Sequence, residues 1–327
     1  MEARRPRYRQ DGAAPPKHGH PLANLTELMS LTATDPAPGA TPRQIPRRYL
    51  ALGLIVVAII LLGALVIVRD NSSPSSTSTV ETFNPASSSL VSSMASVPTS
   101  AFDTVGVDSP ANPVTAPQPT GGATAPLWEA SDDGAPKPVV FFYGAEFAPY
   151  AAVERWPLIV ALSRFGSFSK LGLMQSSATT AFADLSTFTF WQQAYQSKYL
   201  VFESVERYSS LNPTGARYLT LETPSGRQAA AVAGAGTGAT TFAFVDVANR
   251  WALSGASFSP TVLAGLTQDQ IAGNLTNPAA PLTQAVLASA NEITATICAV
   301  DGDHPDSVCE SKGVLAADAL LHIAAPA

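Results

Sequence analysis

The stretch VVFFYGAEFAPYAAVERWPLIVALSRFG, residues 139–166, decides the fold class. Val139 to Tyr143 are β-branched or aromatic without a break, which is how a strand covered on both faces reads. Gly144-Ala145-Glu146-Phe147-Ala148 reads as a loop. Pro149 lacks an N–H and has a fixed φ, so it suits the first turn of a helix. That helix is predicted to carry Tyr150, Trp156, Ile159, Val160, Leu162 and Phe165, to stop at Gly166, and to kink at Pro157. A buried strand running straight into a helix predicts an α/β architecture.

Toward the C-terminus, Leu171 to Met174 is a second short strand. Phe188–Trp191 and Tyr199–Val205 are expected to form an antiparallel hairpin, and Tyr218–Leu221 a further strand. AVAGAGTGATT (231–241) contains Gly234, Gly236 and Gly238 but no following Gly-Lys-Ser/Thr, so it reads as a flexible loop and not a phosphate cradle. A strand at Phe242–Asp246 follows. Ser259-Pro260 caps a short helix to Leu266, and Thr267 to Gln270 is a capping box opening another helix through Leu275. A longer helix covers 281–298. Residues 137–327 are thus expected to form an α/β sandwich with an inserted hairpin and C-terminal helices.

The N-terminal part reads differently. Tyr49 to Val68 is twenty residues without a charge or a proline. At 1.5 Å per residue it spans about 30 Å, the thickness of a hydrocarbon core. It has no polar stripe, and its 48-residue lead-in is too long for a cleaved signal peptide. Residues 49–68 are therefore expected to cross the lipid bilayer of a cytoplasmic membrane once. Residues 1–48 hold eight Lys/Arg against four acids, which places this proline-rich tail on the cytoplasmic side. His18 and His20 lie in it without a Cys or acidic partner at ligand spacing, so no metal is expected there. Residues 69–136, rich in Ser, Thr, Pro, Ala and Gly, are expected to be a disordered stalk. Asn71-Ser72-Ser73 in it fits a glycosylation sequon. Residues 137–327 carry ten Lys/Arg against fourteen acids, which argues against nucleic acid as a partner.

Cys298 and Cys309 are the chain's two cysteines. An even pair on the oxidising side of a membrane reads as a structural disulfide; the sharper alternative is a redox-active pair. Asp301, Asp303 and Asp306 nearby would raise a thiol pKa and oppose redox reactivity. His304 among those acids matches no EF-hand spacing, so no metal site is expected. Outside the tail the histidines are His304 and His322, and no Gly-x-Ser-x-Gly is present, so hydrolase chemistry is weakly supported.

The quoted stretch resembles a thioredoxin-like family catalogued as domain of unknown function 929, whose members carry Cys-Pro-Tyr-Cys where this chain has Ala148-Pro149-Tyr150-Ala151. Gly144-Ala-Glu-Phe, Glu154-Arg155-Trp156 and Ala161-Leu-Ser-Arg-Phe-Gly166 flank the motif. Further similar stretches are Gly172-Leu-Met-Gln-Ser176, Lys198-Tyr199, Phe244-Val-Asp246, Phe258-Ser-Pro260, and Ile297-Cys298 with Val308-Cys309. The resemblance covers about 137–315 and implies a thioredoxin-like sandwich. It also implies a redox site at the helix start, which needs a thiolate activated by the helix N-terminus and a second Cys to resolve the mixed disulfide. Ala148 and Ala151 supply neither sulfur. Ala243 stands where the family's cis-proline is expected, with Pro224 a competing position.

These readings predict a non-enzymatic, membrane-tethered binding or assembly module of the bacterial envelope, with no cofactor and an envelope or membrane protein as its partner. Glu146, Phe147, Pro149, Tyr150, Glu154, Arg155 and Phe242 are expected to line its groove, which can receive an extended peptide. The alternatives are a thiol-disulfide oxidoreductase or disulfide carrier, using Cys298 and Cys309 or being an active enzyme trapped by an inactivated Cys pair, and a structural envelope spacer.

Overall fold

The computed structural model describes residues 81–107, 113–120, 128–131, 134–211, 217–224, 226–234 and 242–323. The predicted span, residues 1–48 of the expected tail, Asn71, Gly236 and Gly238 lie outside them. Among the described residues no helix is long and apolar enough to cross a membrane.

The elements in chain order are helices α1 (Ser88–Ala95) and α2 (Thr99–Val105), then the short strands β1 (Gln118–Pro119) and β2 (Glu129–Ala130). The strand and helix read first from the sequence are β3 (Lys137–Gly144) and α3 (Pro149–Leu162). They are followed by β4 (Gly166–Gln175), β5 (Ser186–Ser197), β6 (Val201–Glu206) and α4 (Gly226–Gly234). Strands β7 (Ala243–Val247) and β8 (Trp251–Ser254) and a 3-10 turn at Pro260–Leu263 come next. The chain closes with α5 (Gln268–Asn274), α6 (Pro281–Asp301), α7 (Asp306–Cys309) and α8 (Lys312–Leu321).

The fold is mixed α/β. The main sheet runs β1-β8-β7-β3, with β6 completing the other side of β3 and β2 pairing its first residues. Every residue of β3 is buried, because a central strand has a layer on each face. Val140 and Phe142 point into a large core shared with α3 and α6. Val139, Phe141 and Tyr143 point the other way, against Trp128 and Val232 of α4. β6 runs parallel to β3, and β7 antiparallel to it.

Several elements fall where the sequence placed them, including the helix opened by Pro149 and the capping box at Thr267 and Gln270. α3 ends at Leu162 with Ser163 as its cap, and Gly166 already belongs to β4. The hairpin, however, is β4 with β5, not Phe188–Trp191 with Tyr199–Val205. Val201–Glu206 instead pairs in parallel with β3, because its apolar residues complete that strand's two faces. Tyr218–Leu221 forms only an isolated bridge, Thr220 to Tyr208. Residues 231–234 of the expected Gly/Ala loop are the last turn of α4, whose alanines favour helix.

The largest correction concerns the expected stalk 69–136. Residues 81–107 are folded onto the domain. Ser87 caps α1 by accepting the Leu90 N–H at 3.2 Å, and Leu90 and Met94, four apart, bury on one helix face. Phe102 of α2 is buried under the Arg164 guanidinium, 4.4 Å from its ring centre. Asn291 of α6 donates to the carbonyls of Phe102 (3.0 Å) and Gly106 (2.7 Å), satisfying the end of α2. Phe83 lies against β4, where a Cβ added at Gly172 would stand 2.8 Å from its ring. Trp128 is buried and β1 pairs with β8. Serine-rich composition conceals these anchors, since they are few but correctly spaced.

Candidate functional site

The β3–α3 junction is built by a strand that ends in Gly144 and a helix that starts at Pro149. Ala148 is the N-cap residue of α3, in extended conformation, and no side chain caps the helix there. Ala148 and Ala151 are both buried. Tyr150 between them is 40% exposed, one of three large apolar or aromatic residues described as exposed. Ala243 lies opposite, paired across the sheet with Gly144, and is fully buried.

Around this junction the aromatic rings gather. Phe147 stacks on Tyr218 with centroids 4.0 Å apart and meets Phe242 edge-on at 5.4 Å. Phe242 also touches Tyr143 (5.9 Å) and Tyr208 (5.6 Å), while the Arg207 guanidinium lies 4.9 Å from the Tyr208 ring. Phe242 holds φ at 51°, a left-handed conformation that costs a non-glycine residue about 1 kcal/mol or more. Three rings packed around its side chain hold it there.

Beneath the rings is a buried polar network. Glu146 accepts a hydrogen bond from Thr189 Oγ1 at 2.5 Å, and its N–H donates to the Tyr208 carbonyl at 2.8 Å. Burial pushes its carboxyl up to about 8, helped by the Glu206 and Glu81 carboxylates and opposed by the Thr189 hydrogen bond and Arg155. Arg155 donates to both oxygens of Glu206, at 2.9 and 2.6 Å. Glu206 also accepts from the Phe190 N–H at 3.1 Å, and its own N–H donates to Glu222 at 2.7 Å. Glu154 faces elsewhere: one oxygen accepts the N–H and hydroxyl of Ser257.

The expected groove residues therefore separate. Phe147, Pro149, Tyr150 and Phe242 stay at least partly accessible. Glu146, Glu154 and Arg155 do not line a surface at all, for each is buried. For Glu154 and Arg155 the reason lies in α3, which is enclosed from Ala151 to Leu162 between the sheet, the β4–β5 hairpin and α6, so its polar side chains must find partners inside. Tyr208 and Tyr218, which sequence reading missed as site residues, join the groove; their dispersed positions carry no local pattern.

Cys298 and Cys309 form a disulfide with Cα atoms 5.7 Å apart, and both residues are buried. It joins the end of α6 to α7, far along the chain from the Ala148 junction. His304 Nδ1 stands 3.3 Å from Asp306 Oδ1 in an exposed turn. Among the described residues no group of three His, Cys, Asp or Glu side chains is arranged to hold a metal ion.

Comparison with protein families matches residues 133–299 to the one described as Domain of unknown function (DUF929). No curated protein and no solved structure matches the chain.

Proposed function

The chain belongs to the family described as Domain of unknown function (DUF929), and from that premise we propose that it is a thioredoxin-like module that has exchanged redox chemistry for binding, tethered to a membrane by residues 49–68. The thioredoxin-like reading draws support from the order β8-β7-β3-β6, with α3 following β3 and opening on Ala-Pro-Tyr-Ala, and with β4–β5 as the inserted hairpin.

The observation that carries the binding reading is the pairing of two buried alanines with an aromatic surface. Ala148 and Ala151 leave the helix N-terminus without a nucleophile, while Tyr150, Phe147 and Phe242 still present rings beside it. Such a groove receives an extended peptide through ring contacts and backbone pairing. Its occupant in this reading is an envelope or membrane protein. The burial of Cys298 and Cys309 argues against an oxidoreductase acting through them.

The test compares the full-length chain with Ala148→Cys/Ala151→Cys in reduction of the insulin interchain disulfides by dithiothreitol. The unaltered chain should be no faster than buffer and the double variant measurably faster. An unaltered chain that is faster than buffer and as fast as the double variant would overturn the reading.

A further inference from the structure

The face of the main sheet turned away from α3 carries a cavity of about 840 Å³. Strand alternation explains why. Val245 and Val247 of β7 point into the core shared with α3, so Phe244 and Asp246 face the opposite way. Those two form the floor with Ala252 of β8, and Trp128, Arg227 and Ala230 contribute to the walls. The volume lies within the roughly 300–1,000 Å³ of small-molecule sites. This cavity does not share a residue with the Phe147–Tyr150 groove, and its argument is independent of the function proposed above.

Asp246 is the unusual member. It is 2% exposed, and one carboxylate oxygen accepts the Asn249 N–H at 2.7 Å, closing the β7–β8 turn. Among the described residues its other oxygen takes no hydrogen bond and no cation pairs with it. Closing the turn needs one acceptor, which a neutral Asn would supply. A carboxylate set into an apolar floor is costly unless something pairs with it. Burial accordingly pushes its pKa up to about 6.

The walls say what the partner is. Phe244 and the buried Trp128 offer aromatic surface, and Trp128 is braced at 5.2 Å by Phe141. Arg227 is exposed; its guanidinium lies 5.7 Å from the Trp128 ring and donates to the Glu129 carbonyl at 2.9 Å. A positive group at the rim disfavours an ammonium beside it, so within the cavity the ammonium's place is at the Asp246 carboxylate. We propose that this cavity binds a small apolar amine, with its ammonium on Asp246 and its hydrocarbon body against Phe244 and Trp128.

The experiment uses the full-length chain in mild detergent, labelled with 5-fluorotryptophan and followed by fluorine NMR. Trp128 is one of four tryptophans and is assigned through Trp128→Phe. Phenethylamine is the probe, and 3-phenylpropionate, of the same body and opposite charge, is its control. The amine should shift the Trp128 resonance saturably while the acid does not, and Asp246→Asn should weaken the amine about tenfold or more. Ala230→Phe, on the exposed side of α4, should block it by filling the mouth. Equal binding of amine and acid overturns the proposal, leaving an indifferent apolar cavity. So does the absence of any shift up to the solubility limit, or unchanged affinity in Asp246→Asn. Should that variant not fold, unchanged amine binding by Ala230→Phe overturns it as well.

Discussion

Arg155 and Glu206 meet through two hydrogen bonds, 2.9 and 2.6 Å long, at a place where neither side chain touches solvent. The pair ties α3 to β6 beneath the Ala148 junction. Its energy lies in the penalty for breaking it, since removal of one partner strands a buried charge. Arg155→Met should destabilise the domain by about 3–5 kcal/mol, and Arg155→Met/Glu206→Leu by clearly less. Urea unfolding of the three chains checks this. A double variant as unstable as the single one would show that shape, and not charge pairing, sets the cost.

The folding of residues 81–107 onto the domain makes a second prediction. Phe102 is buried between α2 and Arg164, so Phe102→Ala should lose about 3–5 kcal/mol. Limited proteolysis of the full-length chain should spare 81–107 in the unaltered protein and cut it in the variant. A true stalk would be cut equally in both, with no change in stability.

Much of this architecture was legible because strong local signals agree with the global fold. The β3 run, Pro149 at a helix start and the Thr267 capping box each carry their own physics. What stayed hidden depends on long-range pairing. Whether Val201–Glu206 joins β5 or β3 is settled by which apolar faces it completes, with paired residues 62 positions apart in the chain, not by its own pattern. Leu90, Met94 and Phe102 are three anchors in a serine-rich stretch whose average composition resembles a linker. At the site, Ala148 and Ala151 could be located from the motif alone. Glu154 and Arg155 were misplaced as surface groups although α3 is apolar on every side, and a helix apolar all round is a buried one. That signal was present and marks both charges as internal.

The same internal placement sets the pH response. Burial pushes Glu146 and Glu154 up to about 8, with the Glu292 carboxylate adding to the effect on Glu154 and its Ser257 hydrogen bonds opposing it. A carboxyl whose folded pKa is raised holds its proton in the folded state at pH values where the unfolded chain has lost it. Stability therefore falls as pH rises from about 4.5 toward 8 and levels off above that. The urea midpoint should be lower at pH 8.5 than at pH 5.5. Glu154→Gln keeps an acceptor for the Ser257 N–H and carries no charge, so it should flatten the profile and raise the midpoint at pH 8.5. A lowered midpoint there would mean that Glu154 is held as a paired anion.

The disulfide separates the two chemical classes most directly. Cys298 and Cys309 close a short loop, and in the chain-entropy account a cross-link of that length contributes about 3 kcal/mol. Cys298→Ser/Cys309→Ser should lose about that much in urea unfolding. The sulfurs sit on buried residues at the α6–α7 turn, with Asp301, Asp303 and Asp306 close in sequence, so a thiolate has neither access nor stabilisation. Intact mass after alkylation of the full-length chain across a graded glutathione series should show the bond closed until strongly reducing conditions, well below a poise of about −200 mV. A bond that opens and re-closes near that poise would make it an exchanging pair, and the chain an oxidoreductase through these two cysteines.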